Sequence, residues 1–341
     1  MQLFNPDDTS QRDSLLPDHP VVRNRYIALT PTIEYSYRLV RERIWLSSPS
    51  VYFFSNPRMG KSQCAMAIRH LASQEFTDKY IVLATCDVSN EETIIVTIAN
   101  AIKLFRKTRE PVDKLRERII THILCELASI DGSHFLLLLD EMQTLGEKEY
   151  KHLQVIQNRL KLLDISMTTI GFAQHQINSV RTSFVSGDEG AVVARFLSER
   201  IEFPGCSSVE WLEEVLRSFD EALFYPVDSN CSYTQFFLPK AFSAGFRISF
   251  YSSMIYDCAV EAVSGCSKRV IPVEHMFHSV QLILTSSRLS DDQGFVLDIN
   301  LVKDAIFKSG MSEFAKVGVV CEVSSHRSEG FQPARNPFRR R

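Results

Sequence analysis

Val51 to Ser62 reads V-Y-F-F-S-N-P-R-M-G-K-S, and this stretch decides the fold. Val51 to Phe54 are β-branched or aromatic, the pattern of a buried strand. Ser55 to Gly60 break that pattern, and Lys61-Ser62 lead into a helix predicted over Gln63 to Ala72. A strand that stops at a tight turn and restarts as a helix aims several backbone N–H groups, and the positive end of the helix dipole, at one spot. That spot suits a polyphosphate.

The spacing is that of a phosphate-binding loop, G-x-x-x-x-G-K-[ST], with Ser55 where its first glycine belongs. The cradle would comprise Ser55, Asn56, Pro57, Arg58, Met59, Gly60, Lys61, Ser62 and Gln63. Gly60 would let the backbone approach the phosphates, Lys61 would reach the β and γ phosphates, and the Ser62 hydroxyl would ligate Mg²⁺. A serine at position 55 must hold a less strained backbone than glycine would allow.

Outward from this loop, five short strands are predicted: Val51 to Phe54, Tyr80 to Thr85, Phe135 to Leu139, Ser166 to Gly171 and Ile201 to Phe203. Helical patterns separate them; Leu115, Ile119, Ile123 and Leu127, at steps of four, are the best example. A further helix is expected over Pro31 to Trp45. Strands alternating with helices imply an α/β fold, a parallel sheet covered on both faces.

In such a sheet the C-terminal strand ends share one edge. Phe135 to Glu141 reads F-L-L-L-L-D-E, an apolar strand ending in two carboxylates. Asp140 would hold Mg²⁺ through water, and Glu141 would polarise the water that attacks the γ-phosphate. Ser166 to Gln174 brings an amide, Gln174, to the same edge, with His175 as a neighbouring candidate. Ala194 to Arg200 reads A-R-F-L-S-E-R. Arg195 and Arg200 are either fingers offered to the next subunit's nucleotide or members of surface salt bridges.

After Pro204-Gly205 the pattern becomes helical: Val209 to Leu223, about 247 to 263, Val273 to Thr285, and Asp298 to Lys308. The expected organisation is an arm over 1–30, an α/β nucleotide-binding domain over 31–205, a helical lid over 206–310 and a basic tail over 311–341. Arg247, following Gly245, would reach the phosphates from the lid.

The net charge of −3 gives no global attraction to nucleic acid, so any such contact needs a local patch. Residues 101–118 hold seven Lys or Arg against three acids. Lys103, Arg106 and Lys107 would share one helix face until Pro111 interrupts it, either tracking the phosphates of a duplex or simply facing solvent. No interleaved aromatic platform is read there, which favours duplex over single strand. The arginine-rich end, 327–341, would meet DNA or a protein partner. Eight scattered cysteines without a C-x-x-C pair, a polar N-terminus and no long apolar run point to a reduced, cytoplasmic protein with no membrane segment.

In this order the motifs resemble those of AAA+ ATPases, on the initiator-related branch. R-x-x-Y-I-A-L-T-P-T-I from Arg23, N-P-R-M-G-K-S-Q, L-L-L-D-E-M-Q and R-F-L-S-E-R-I-E-F are more closely similar to TnsC/TniB transposition regulators, above all those of CRISPR-associated, Cascade-guided transposons. The resemblance spans about residues 20 to 310. It implies ATP and Mg²⁺ as ligands, rings or filaments on double-stranded DNA, and a link between a TniQ-containing targeting complex and transposase subunits. Ser55 and Gln174 depart from the family pattern, which implies slow hydrolysis.

Overall fold

The computed structural model describes residues 4–86, 93–264 and 271–316. All five expected strands form: β1 (Ser50–Phe54), β2 (Lys79–Thr85), β3 (His134–Asp140), β4 (Ser166–Ala173) and β5 (Arg200–Glu202). They pair in parallel, in the order β2-β3-β4-β1-β5. Alternation along β3 explains why its run is apolar throughout. Phe135, Leu137 and Leu139 pack with the helices Ile94–Ala101, Val112–Ser129 and Glu147–Lys161, while Leu136 and Leu138 face the helices Pro31–Trp45 and Lys61–Glu75. Each leucine so enclosed contributes roughly 1.5–3 kcal/mol of burial.

The strand order places β4 between the strand of the phosphate loop and the strand of the carboxylates. Gly171 makes close packing possible there: a Cβ would stand 2.2 Å from Met142 Sδ and 2.9 Å from Tyr52 Cβ. Met142, fully buried, therefore pins the turn that follows Asp140 across β4.

The helical region has its own core, built from Val209–Glu221, Ser252–Ala262, Val273–Ser287 and Ile299–Lys308. Ser208 caps the first of these, accepting the N–H of Trp211 at 3.2 Å, and Asp298 caps the last, accepting from Asn300 at 3.1 Å. Tyr233–Phe237 and Pro239–Ser243, too short to show a period, add two more turns.

Residues 4–30, where the sequence suggests an arm, carry regular structure. They form the short helices Thr9–Leu15 and Pro20–Arg23, packed on the helical region. Their anchor is His19, fully buried among the rings of Tyr225, Tyr233, Phe236 and Phe237 at 4.5–4.9 Å. Burial pushes its pKa down to about 3. Asp-, Pro- and Ser-rich composition reads as a loop, but the aromatic cage supplies the burial that local pattern lacks. Among the described residues no helix is long and apolar enough to cross a membrane. The arginine-rich end lies outside the described residues.

Candidate functional site

A cleft of about 570 Å³ opens at the C-terminal edge of the sheet. The phosphate loop forms its floor: Pro57 to Gln63 line it, together with Glu141 and Gln174. The helix that follows starts at Lys61, two residues before the predicted start, with Gly60 at φ 91° as its N-cap. The other left-handed residue of the loop is Arg58, at φ 62°. Ser55 is not in that region, so the position held by the motif's first glycine demands no special dihedral here. Instead Ser55 is buried, donates its N–H to the Ala173 carbonyl at 3.2 Å and ties β1 to β4.

Lys61 is 6% exposed, and its Nζ donates to Asn56 O at 2.7 Å, Ser55 Oγ at 3.2 Å and Ser55 O at 3.3 Å. Burial lowers its pKa to about 8, against the opposing pull of Glu141 and Asp140. Asp140 is buried too. Desolvation pushes its pKa up, while a hydrogen bond from the Ser62 side chain pulls it down. Ser62 and Asp140 thus stand near each other at the sheet edge, and two oxygen ligands of this kind would suit Mg²⁺.

Glu141 sits at φ 55°, a left-handed bend that turns the chain from β3 into the buried Met142. Its Oε2 accepts from Gln174 Nε2 at 3.1 Å and from Gln143 Nε2. Gln143 also accepts the Gln174 N–H on its Oε1 at 2.9 Å, bridging the ends of β3 and β4. Gln143 was missed in the sequence, although it stands two residues beyond Glu141; only the turn after β3 shows that it faces back. His175, the neighbouring candidate, packs edge-on against the Phe54 ring at 5.4 Å.

The opposite wall is the second part missed. Asn24, Tyr26, Ile27, Ala28 and Thr30 line it, facing Trp211, Val273 and Phe277 of the helical region. Thr30 caps the helix Pro31–Trp45, and Trp211 Nε1 donates to Thr32 Oγ1 at 2.9 Å, joining this wall to the helical region. Arg58 ion-pairs with Glu274, and the Glu274 N–H donates to the Arg58 carbonyl at 3.1 Å. The helical region is therefore fastened directly to the tip of the phosphate loop.

Three expected roles meet a different geometry. Arg247 does not line the cleft: its Nη1 donates to Phe246 O at 2.6 Å and Phe242 O at 3.0 Å, and it stacks 3.5 Å over the Phe242 ring. These contacts hold its side chain on its own turn. Arg195 donates to Asn158 Oδ1 at 2.6 Å on the helical layer, whereas Arg200 is exposed on the edge strand β5, 5.9 Å over the Phe54 ring. In the same motif, Glu199 accepts a bidentate pair from Arg43 at 2.7 Å each and so fixes the helix Pro31–Trp45 to that edge. Lys103, Arg106 and Lys107 share no helix face. The helix stops at Ala101, Lys103 turns left-handed at φ 58°, and the segment is a loop up to Pro111.

No protein-family model and no curated protein sequence matches the chain. Among solved structures it is similar to Aeropyrum pernix Orc1 in complex with DNA, at 16% identity and a TM-score of 0.52, over 95% of this chain and 78% of that one. It is also similar to Cdc6p from Pyrobaculum aerophilum, at 13% identity and a TM-score of 0.50, over 79% of this chain and 65% of that one. The five-stranded parallel sheet, its strand order and the likeness to these two proteins agree: the chain shares their fold, a P-loop α/β domain followed by a helical region.

Proposed function

We propose that this protein is an ATP-dependent regulator that oligomerises on double-stranded DNA and links a TniQ-containing target-selection complex to a transposase. The observation that carries the nucleotide part is the convergence of Lys61, Ser62, Asp140, Glu141 and Gln174 at one sheet edge. Lys61 holds the β and γ phosphates, Glu141 takes a proton from the attacking water, and Gln174 orients that water. Ser62 and Asp140 would hold Mg²⁺, which would supply neutralising charge for the phosphate oxygens.

Arg200, exposed at the sheet edge, is the better placed of the two arginines to serve a neighbouring subunit's nucleotide, since Arg195 is already bonded to Asn158. DNA contact is supported by the cation-rich segment 101–118 and by the fold shared with an Orc1 that binds DNA. The transposition role rests on the motif resemblance alone, carried by the stretches from Arg23, Asn56, Leu137 and Arg195. A second reading, ATP as an assembly ligand with incidental turnover, is favoured by the two amides that fix Glu141.

Electron microscopy of the protein with duplex DNA and ATP, or a non-hydrolysable analogue, tests the assembly. Rings or filaments should form only when both ligands are present. Nucleotide-bound monomers indifferent to duplex would leave a P-loop ATPase whose partner is a protein.

A further inference from the structure

The loop at 102–111 presents a single aromatic ring on a rigid mount. Phe105 is 86% exposed, more than any other large apolar side chain among the described residues. Its neighbours turn the other way, for Ile102 and Leu104 pack against the core below. The backbone beneath the ring is braced from three sides. Arg118 donates to the Phe105 carbonyl from both Nη1 and Nη2 at 3.3 Å and to both oxygens of buried Glu110 at 3.0 and 2.8 Å. The Lys107 N–H donates to Glu110 Oε2 at 3.1 Å, and Arg106 donates to the Glu110 carbonyl at 2.9 and 3.3 Å. Left-handed residues, Lys103 at φ 58° and Arg109 at φ 56°, set the bends at the two ends.

The same loop carries Lys103, Lys107 and Arg109, all exposed and without an ion pair among the described residues. Two partner chemistries compete for such a surface. A protein hot spot surrounds its aromatic anchor with apolar neighbours that exclude water, and here the surrounding groups are solvated cations. A duplex offers phosphates to the cations and a base step to the ring, the arrangement of an apolar wedge.

We propose that Phe105 is a wedge that enters between base pairs of duplex DNA while Lys103, Lys107 and Arg109 hold the flanking phosphates. This rests on the DNA-assembling reading above and assigns the residue through which the duplex is deformed.

The test is a titration, with a non-hydrolysable ATP analogue, of duplex containing 2-aminopurine, using wild-type protein, Phe105→Ala and Lys103→Ala. Wild type should raise 2-aminopurine fluorescence by unstacking the probe. Phe105→Ala should abolish that rise and weaken binding by about tenfold with the salt slope unchanged. Lys103→Ala should keep the rise and lower the slope by about one. Equal fluorescence and affinity for Phe105→Ala, with Lys103→Ala weakened, would overturn the wedge and leave phosphate tracking in place. No binding of duplex by wild type would overturn the DNA reading itself, and the wedge with it. Because the ring is exposed, Phe105→Ala should unfold at the wild-type temperature.

Discussion

Lys61 and Lys103 have the same side chain in opposite settings. Lys61 is 6% exposed, gives hydrogen bonds to three oxygens of its own loop and feels two carboxylates across the cleft. Lys103 stands exposed on a left-handed residue, with no ion pair among the described residues. Desolvation makes each contact of Lys61 strong and its position single-valued, whereas solvent screens Lys103 and leaves it only the long-range attraction of a phosphate array. A site that must hold one phosphate group in one place is built the first way. A surface that must follow a duplex without reading its bases is built the second way.

Removing each charge should expose this difference. Lys61→Ala should have the largest effect, a roughly hundredfold or greater loss of ATP affinity, because a charge-assisted contact in a dry cleft is lost. A fluorescent-nucleotide titration measures it, and a loss below about threefold would mean that Lys61 does not touch the phosphates.

Proton linkage should give the next largest effect. In the unliganded protein Lys61 titrates at about 8 because burial disfavours its charged form. Bound phosphate favours the charged form and so raises that pKa. Binding therefore takes up a proton above pH 8, and ATP affinity should fall as pH rises from 8, approaching about tenfold per unit. Below pH 8 the lysine is charged in both states, and affinity should be flat with respect to this group. Calorimetry in buffers of different ionisation enthalpy would register the uptake; no uptake at pH 9 would contradict the assignment. Lys103→Ala should be the mildest, the change of about one in salt slope that the duplex titration reads.

The same contrast explains what could be read in the sequence. β1 and β3 are buried on both faces, so Val51 to Phe54 and Phe135 to Leu139 had to be apolar throughout, and their ends announced the turns. The spacing of Gly60, Lys61 and Ser62 follows from one local turn, so it survives in one dimension. The residues that were missed act through tertiary contact. Gln143 matters because the turn at Glu141 points it back toward β4. The wall from Asn24 to Thr30 exists because His19 anchors a short segment in an aromatic cage more than two hundred residues away in sequence. Chain order suggests the cleft for Arg247, yet two backbone carbonyls and the Phe242 ring hold it on its own turn.

The loop at 102–111 departs from its helical pattern for a related reason. Lys103, Arg106 and Lys107 have helical spacing, but Lys103 adopts φ 58° and Glu110 gathers Arg118 and the Lys107 N–H into a turn that no periodicity records. The ring of Phe105 stands alone between cations, so the sequence shows no aromatic platform, and only the fold of the loop exposes it.

Glu141, held at the sheet edge by Gln143 and Gln174 beside the phosphate loop, is the residue on which timed hydrolysis would depend. The decisive measurement is the lifetime of nucleotide-dependent assemblies on duplex DNA for Glu141→Gln beside wild type, followed by light scattering after ATP is chased with ADP, with phosphate release recorded in parallel. The variant should bind ATP and duplex normally, release phosphate at least about a hundredfold more slowly and keep its assemblies long after the wild-type ones have gone. Assemblies that decay at the wild-type rate while phosphate release is lost would show that ATP acts only as an assembly ligand and that hydrolysis at this cleft does not time the disassembly.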